Sequence, residues 1–186
     1  MSSGEFRRLE SRVIFRDELL GLREDTVATP ADALITRKVV EYRRSVAVIA
    51  LTADDKAILV RHFRYPVGRV LWDLPGGILE RSETVMECAR RELLEEAGYE
   101  ARRYEQVLEF YPEPAFTDHM ITIVLAEEAA PSAAHGAIEL EISEVGTFDL
   151  QDTPRLIHER VIGSSWTIIG MMLAFLRVTS HKERSD

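Results

Sequence analysis

Three glutamates in the middle of the chain are spaced so that their carboxylates could share one ligand. Glu92, Glu95 and Glu96 stand at positions i, i+3 and i+4 of a segment that we predict to be helical, and this spacing brings them together on one helix face. Like charges at that spacing repel, so the helix gains nothing from them alone. Because hard divalent cations take oxygen ligands, the segment is a candidate for half of a metal site.

The segment that carries these glutamates has helix boundaries that can be read from the sequence. Ser82 is a suitable N-cap and Gly98 is placed as a C-terminal stop, so we predict a helix from Glu83 to about Ala97. An apolar stripe adjoins the acidic face rather than opposing it, and its members are Val85, Cys88, Ala89 and Leu93. We therefore expect the carboxylates to lie at the edge of the core.

Other elements are indicated by β-branched and apolar runs. Residues 45–52 and 57–63 are such runs, separated by the turn signal Asp54-Asp55, and this pattern predicts a β-hairpin. Residues 11–22 and 33–42 are predicted to be extended, and residues 1–10 to be frayed. The chain of 186 residues suits a single domain.

The run from Gly77 to Tyr99 resembles the signature of the Nudix hydrolases. That signature is a glycine, five residues, a glutamate, seven residues, and then Arg-Glu-apolar-any-Glu-Glu-any-Gly-apolar. The chain matches it without a gap, through Gly77, Glu83, Arg91, Glu92, Leu93, Glu95, Glu96, Gly98 and Tyr99. The resemblance implies the α/β class and the Nudix α/β/α sandwich, a mixed sheet between helices.

The same resemblance implies roles for the charged residues. It implies a Mg²⁺ site, with Mn²⁺ as the alternative ion, whose ligands are the Gly76 carbonyl oxygen, Glu92, Glu95 and Glu96. Glu92 and Glu96 then belong to the catalytic centre. Arg91 is placed with them as the partner of Glu83 in an ion pair that orients the ligands. The alternative for this pair is a plain surface salt bridge.

Motifs on both sides of the signature resemble the ADP-ribose and nucleoside-diphosphate-sugar pyrophosphatases. The run of residues 61–64, Arg-His-Phe-Arg, resembles that group's Arg-Gln-Tyr-Arg, and residues 72–77 resemble its Trp-Glu-Leu-Pro-Ala-Gly. Residues 111–118 resemble its Pro-Ser-Pro-Gly-Phe-Ser-Asp-Glu. Ala115 and His119 depart from the group's Gly and Glu, and they leave the exact sugar or nucleotide open.

Four residues of these motifs are candidates for substrate binding: Arg64, Trp72, Phe116 and His119. The guanidinium of Arg64 suits phosphate or ribose oxygens, and its alternative is an exposed arginine at a strand end. Trp72 could flank a base or ribose, and its alternative is a core residue. The five histidines show no metal-ligand spacing, and we interpret His62 as incidental.

Hydrolysis also requires a general base that activates water. The group usually supplies it from a glutamate in a late loop, and residues 139–145 resemble that acidic stretch. Alignment makes Glu141 the candidate, with Glu139 and Glu144 as alternatives. An acidic loop with no role in the reaction is the other interpretation.

Bulk properties exclude several classes of protein. The net charge is −9 and no large basic cluster is present, which argues against a nucleic-acid partner. We expect no membrane partner, because no apolar run approaches the length of a membrane span. Cys88 is the single cysteine, which fits a reducing compartment, and with no signal-peptide pattern at the N-terminus we expect a cytoplasmic protein.

The resulting expectation is a single Nudix hydrolase domain over residues 1–186. It would have an N-terminal strand region at 1–43 that forms a homodimer, as the group's enzymes usually do, and a core at 44–180. The expected activity is Mg²⁺-dependent hydrolysis of the diphosphate of ADP-ribose or a related nucleoside diphosphate sugar, giving a nucleoside monophosphate and a sugar phosphate. Alternative substrates are GDP-mannose, a dinucleotide or a coenzyme. A regulator that binds nucleotide-sugars without turnover is the rival from another class.

Overall fold

The first part of the chain forms a small antiparallel sheet. The computed structural model describes residues 5–134 and 142–182, with the backbone alone for residues 181 and 182. Its first three strands are β1 (Arg7–Arg16), β2 (Leu20–Ala28) and β3 (Leu34–Tyr42), paired in the order β1-β2-β3. They form one compact unit with residues 111–120, whose Thr117 bridges to Val40 of β3.

Two expectations for this region were wrong. Residues 11–22 are not one extended stretch, because a turn at Asp17 separates β1 from β2. The Asp17 carboxylate accepts hydrogen bonds from the backbone N–H groups of Leu19 and Leu20, both at 2.8 Å, which closes that turn. Residues 7–10 are not frayed, because they pair with the end of β2.

The remaining described residues form a second unit around strand β4 (Ser45–Thr52). Its continuous apolar sequence leaves it buried on both faces. Even-numbered residues of β4 enter one core cluster and odd-numbered residues enter another, as the two-residue repeat of a strand requires. The predicted hairpin is confirmed, because β4 pairs antiparallel with β5 (Lys56–Arg64).

The sheet around β4 has eight strands and mixed directions. Its further strands are β6 (Arg69–Asp73), β7 (Gly76–Ile78), β8 (Tyr99–Glu100), β9 (Arg103–Phe110), β10 (Ile121–Pro131) and β11 (Ile142–Asp149). The order is β11-β5-β4-β10-β8, with β6 beside β5, β7 beside β4 and β9 beside β10. β4 and β10 are parallel and the other pairs are antiparallel. This confirms the mixed sheet.

Helices cover both faces of this sheet. Helix α1 (Val85–Glu92) continues as a π-helical turn at Leu93–Ala97 and packs on the cluster of even-numbered β4 residues. Helices α2 (Thr153–His158) and α3 (Ser165–Lys182) pack on the other cluster. The α/β/α sandwich is thus confirmed. Within the two described ranges, no helix is long and apolar enough to cross a membrane.

Helix α1 begins two residues later than the sequence suggested. Its N-cap is Thr84, not Ser82. The Thr84 hydroxyl accepts from the Glu87 N–H, and the Glu87 carboxylate accepts from the Thr84 N–H at 2.8 Å. This reciprocal capping box requires an acidic or amide residue three positions on, and Ser82 has Val85 there. Gly98 ends the helical segment as predicted, in the left-handed conformation with φ 72°.

Candidate active site

The three glutamates predicted to share a helix face separate into two environments. Glu92 and Glu96 are buried, with 6% and 4% of their surface exposed, whereas 46% of the Glu95 side chain is exposed. The helix passes from α1 into the π turn at this point, and a π turn holds more residues than an α turn. Glu95 still lies near Glu92, because Nη1 of Arg91 contacts both carboxylates. What separates Glu95 from Glu92 and Glu96 is therefore its exposure to solvent.

Strand β7 lies against these two buried carboxylates. The backbone N–H of Gly76 donates to Oε2 of Glu96 at 2.8 Å. A Cβ atom at Gly76 would overlap the carbonyl oxygen of Val46, and one at Gly77 would overlap the Glu92 carboxylate. Gly76 thus requires glycine because backbone atoms approach it closely, whereas a side chain at Gly77 would displace the Glu92 carboxylate. Binding of a metal by the Gly76 carbonyl remains a prediction.

Arg91 connects the carboxylates on the outer side of the helix. Its guanidinium donates two hydrogen bonds to Glu83, from Nε to Oε1 at 2.6 Å and from Nη2 to Oε2 at 3.0 Å. Its Nη1 donates to Glu92 Oε1 at 2.8 Å and to Glu95 Oε2 at 3.1 Å. The predicted pair with Glu83 therefore forms, and its contact with Glu92 goes beyond a plain surface salt bridge.

The charges of this network shift the titration of its members. Hydrogen bonding to Arg91 lowers the pKa of Glu83 to about 2, although burial opposes the shift. In return, the hydrogen bonds that Arg91 donates to Glu83 raise the pKa of Arg91 further above its usual range. The pair is thus ionised at neutral pH. The charged guanidinium of Arg91 also donates a charge-assisted hydrogen bond to the Glu92 carboxylate.

His62 is a site residue that the sequence-based interpretation missed. Its imidazole is 3% exposed, and its Nε2 lies 3.3 Å from Oε1 of Glu96. The Nδ1 atom is buried and has no hydrogen-bond partner among the described residues. The histidine stands where the Arg-Gln-Tyr-Arg motif has glutamine, and this was the only signal that it could face the site. Its contact with Glu96 argues against the interpretation of this histidine as incidental.

A third buried carboxylate of this region, Asp73, anchors the segment that leads into β7. Asp73 is fully buried and bonds to the hydroxyls of Ser164 and Thr167 near the start of α3. Thr167 in turn accepts from the Leu74 N–H at 3.0 Å. These bonds tie the end of β6 to α3, and they hold the chain just before Gly76 in place.

Arg64 also belongs to this cluster. Its Nε donates to Asp73 at 2.7 Å, and its guanidinium carbon lies 5.6 Å from the centre of the Trp166 ring. Its Nη2 atom is buried and has no hydrogen-bond partner in the described part of the chain. Arg64 is thus fixed by Asp73 rather than free at a strand end, and its contact with substrate remains a prediction.

The other predicted substrate residues lie in different places. Trp72 packs edge-on against Phe148, with 4.9 Å between ring centres, which supports its alternative as a core residue. Phe116 and His119 lie in the unit that contains β1 to β3. Phe116 is exposed, and the His119 ring lies 4.8 Å from that of Tyr42. Burial lowers the pKa of His119, and Asp118 only partly offsets this effect.

The three general-base candidates can be placed only in part. Glu139 and Glu141 lie outside the described residues. Glu144 is described; its carboxylate is exposed and pairs with Arg61 at 3.0 Å. Within residues 5–134 and 142–182, no three His, Cys, Asp or Glu side chains are grouped closely enough to hold a metal ion. Binding of a metal by Glu92, Glu95 and Glu96 therefore remains a prediction.

Comparison with known proteins identifies clear relatives of this chain. A model of the NUDIX domain matches residues 41–163. The chain is 32% identical to the ADP-ribose pyrophosphatase of Bacillus subtilis (strain 168), over 87% of this chain and 88% of that protein. It is 30% identical to the methanol dehydrogenase activator of Bacillus methanolicus, over 96% of this chain and 97% of that protein.

A solved structure supports the same assignment of the fold. The crystal structure of an ADP compounds hydrolase matches with a TM-score of 0.85, covering 97% of this chain and 98% of that chain. The sequence identity is 17%, so this likeness establishes the fold and nothing further. The fold expected from the sequence signature is therefore confirmed independently of the residues that form the signature.

Proposed function

We propose that this chain, which belongs to the Nudix hydrolase family, hydrolyses the diphosphate bond of ADP-ribose or a related nucleoside diphosphate sugar. The products would be a nucleoside monophosphate and a sugar phosphate. The 32% identity to the Bacillus subtilis ADP-ribose pyrophosphatase over 87% of the chain carries this choice of substrate. The relative named an ADP-ribose pyrophosphatase is itself matched over most of its length, so the likeness is not confined to the signature.

The residues around β7 fit a hard divalent cation. Glu92 and Glu96 are buried carboxylates of one helical segment, and buried carboxylates require cations or fixed donors. Oxygen ligands of this kind suit Mg²⁺, with Mn²⁺ as the alternative. When bound, the ion would polarise a phosphoryl oxygen and screen the charge of the diphosphate. We propose Glu92, Glu96, Glu95 and the Gly76 carbonyl as its ligands.

The surrounding residues would keep these ligands in position. Arg91 directs one oxygen of Glu92, and the Gly76 N–H and His62 hold the two oxygens of Glu96. Ligands that are fixed before substrate arrives need no reorganisation during the reaction. Glu141 would take the proton from the attacking water, with Glu139 and Glu144 as alternatives. Arg64, Phe116 and His119 are the proposed substrate contacts, and Trp72 is retained as a contact only for the part of its ring that the core leaves exposed.

A second candidate function is a regulator that binds a nucleotide-sugar without turnover. The 30% identity to the methanol dehydrogenase activator of Bacillus methanolicus, over 96% of the chain, supports this second candidate. A regulator has no need of two buried carboxylates held by fixed donors, however, and this observation favours hydrolysis. A hydrolase for GDP-mannose, a dinucleotide or a coenzyme would use the same site with another leaving group.

A substrate panel with product identification tests these proposals. The purified protein with Mg²⁺ is incubated with ADP-ribose, GDP-mannose, a dinucleotide and a diphosphate-containing coenzyme, and the products are separated by chromatography. AMP and ribose 5-phosphate from ADP-ribose, formed fastest within the panel, are the expected outcome. Faster cleavage of another compound of the panel would identify that compound, instead of ADP-ribose, as the preferred substrate. Tight binding without any product would instead establish the regulator.

We further propose that the protein is a cytoplasmic homodimer formed by residues 1–43. β1 is the edge strand of its sheet, and among the described residues it pairs only with β2. Its side chains are exposed along its whole length and include Leu9, Val13, Ile14 and Phe15. Apolar side chains on an open strand edge are typical of a surface that pairs with another chain. A single cysteine fits the reducing cytoplasm.

A further inference from the structure

A cleft lies on the face of the large sheet that α1 does not cover. It has a volume of about 400 Å³ and is bounded by β6, by the segment after α2 and by the first turn of α3. Its apolar lining comes from Leu71, Ile157, Ile162 and Ile168. Ile162 belongs to the core cluster beneath α2 and α3, whereas α1 and its glutamates pack on the opposite cluster. The cleft is therefore on the other side of the sheet from the glutamates of α1, although Arg69 is the cross-strand neighbour of Arg64.

Two arginines from different elements line the same cleft. Arg69 opens β6, and Arg160 follows α2. Most arginines of the described chain pair with a carboxylate, as Arg61 does with Glu144 and Arg155 with Glu159. Among the described residues, Arg69 and Arg160 have no such partner. In a chain with a net charge of −9, two cations left unpaired beside one apolar cleft point to an anion supplied from outside.

The size and lining of the cleft restrict what that anion can be. Pockets for small molecules are typically about 300–1,000 Å³, mostly apolar, with a few polar groups that fix orientation. An inorganic anion would leave the four apolar side chains in contact with water, and a neutral apolar molecule would leave the arginines unpaired. We propose that this cleft binds one small molecule with an apolar body and an anionic end, a carboxylate or a phosphate monoester.

Calorimetric titration of the full chain with matched probes tests this proposal. The probes are octanoate, octyl phosphate, 1-octanol and inorganic phosphate. We expect one-to-one binding of octanoate or octyl phosphate, with 1-octanol and inorganic phosphate each at least about tenfold weaker, since a tenfold change in Kd corresponds to about 1.4 kcal/mol. Binding of 1-octanol as tight as that of octanoate would overturn the role of the arginines.

Variants locate the binding at this cleft. Arg69→Gln/Arg160→Gln should weaken octanoate binding at least about tenfold while leaving 1-octanol binding unchanged. Arg37→Gln, which removes an exposed arginine of β3, is the matched control and should have no effect. Wild-type affinity in the double variant would refute the proposal.

A filling substitution provides a test that does not depend on charge. A Cβ atom at Gly163 would meet the Leu71 side chain at 3.4 Å, an ordinary contact, so Gly163→Leu should extend into the cleft without disturbing the fold. An unchanged melting temperature with loss of octanoate binding is expected. Undiminished binding in this variant would place the ligand elsewhere. If the protein sediments with vesicles of anionic phospholipid but does not bind free octanoate, the ligand of the cleft is a lipid surface. That result would overturn the proposal of a small molecule.

Discussion

The imidazole Nε2 of His62 lies 3.3 Å from Oε1 of Glu96, and both side chains are almost entirely buried. The second oxygen of the same carboxylate accepts the backbone N–H of Gly76 at 2.8 Å. Two fixed partners therefore set the plane of the Glu96 carboxylate. Each carboxylate oxygen has a further lone pair, so this arrangement orients Glu96 without preventing it from binding a cation.

We predict that His62→Ala weakens the binding of Mn²⁺ by roughly 10–100-fold, the usual effect of removing a group that orients a metal ligand. The physical reason is that Glu96 loses its partner on Oε1 and gains freedom to rotate. His62→Gln should retain most of the affinity, because an amide can still donate to that oxygen. Free Mn²⁺ is measured by electron paramagnetic resonance during titration of the protein.

A matched control separates this effect from the loss of any histidine. His158 is an exposed histidine at the end of α2, and His158→Ala should bind Mn²⁺ as the wild type does. Equal Mn²⁺ affinity in His62→Ala and the wild type would show that the contact with Glu96 has no positioning role. A lowered melting temperature in His62→Ala alone, with unchanged Mn²⁺ affinity, would mark the contact as purely structural.

The separation of Glu95 from Glu96 leads to a second prediction. Glu96→Gln should lower kcat by at least about 100-fold with the fold intact, because the amide replaces a buried ligand oxygen by a neutral group. Glu95→Gln should lower kcat much less, since that side chain is about half exposed whereas Glu96 is buried. Turnover and melting temperature are compared for both variants under saturating Mg²⁺. Near-normal turnover in Glu96→Gln would refute the proposed hydrolase mechanism.

Local patterns in the sequence were sufficient to predict the elements around the site. The stop signal of a helix is short-range, so it could be predicted that the helical segment ends at Gly98. The apolar run of residues 45–52 could be identified as a strand for the same reason. The pair of Glu83 and Arg91 joins the residue just before the N-cap of α1 to the last turn of that helix, and it followed from the signature.

Contacts between distant elements could not be predicted in this way. The burial of His62 against Glu96 depends on how β5 and the end of the helical segment meet in the fold, and no spacing along the chain encodes it. The π turn likewise accompanies the fit of Glu96 against the Gly76 N–H, a tertiary contact. The anchoring of Asp73 by Ser164 and Thr167 joins residues about 90 positions apart.

Acid stability provides a third prediction. The pKa of Glu83 is lowered from 4.5 to about 2, chiefly by its hydrogen bonds from Arg91. A carboxylate whose pKa falls on folding stabilises the protein above its unfolded-state pKa, and this contribution is lost as the pH falls through the folded-state pKa. The contribution is roughly 3 kcal/mol at neutral pH. It should therefore decline between about pH 4.5 and pH 2.

Urea unfolding of the wild type and Glu83→Gln at a series of pH values measures this contribution. The difference in free energy of unfolding between the two proteins should be largest above pH 5 and should shrink as the pH approaches 2. The other carboxylates titrate in both proteins, so their effect cancels in this difference. Repeating the comparison in an Arg91→Lys background should give a smaller difference at every pH, because lysine cannot form the two parallel bonds. A difference that stays constant with pH would contradict the assigned role of Arg91.

The open edge of β1 leads to the fourth prediction, which concerns assembly. Light scattering should give twice the mass of one chain at working concentration. Val13 and Phe15 are apolar residues of β1, and each is about half exposed. Val13→Glu/Phe15→Glu should give monomers, because two charges would have to be buried in the contact between copies. Leu176→Glu alters an equally exposed apolar residue on α3 and should leave the mass unchanged.

The same variants decide whether assembly matters for turnover. If residues 1–43 only join two complete sites, the monomeric variant keeps the kcat and KM of the wild type. If a partner's strands complete the substrate pocket, KM rises at low protein concentration while the affinity for Mn²⁺ stays constant, because the proposed metal ligands all lie in the unit built around β4 or in its late loop. A wild-type chain that scatters light as a monomer would remove the role proposed for β1.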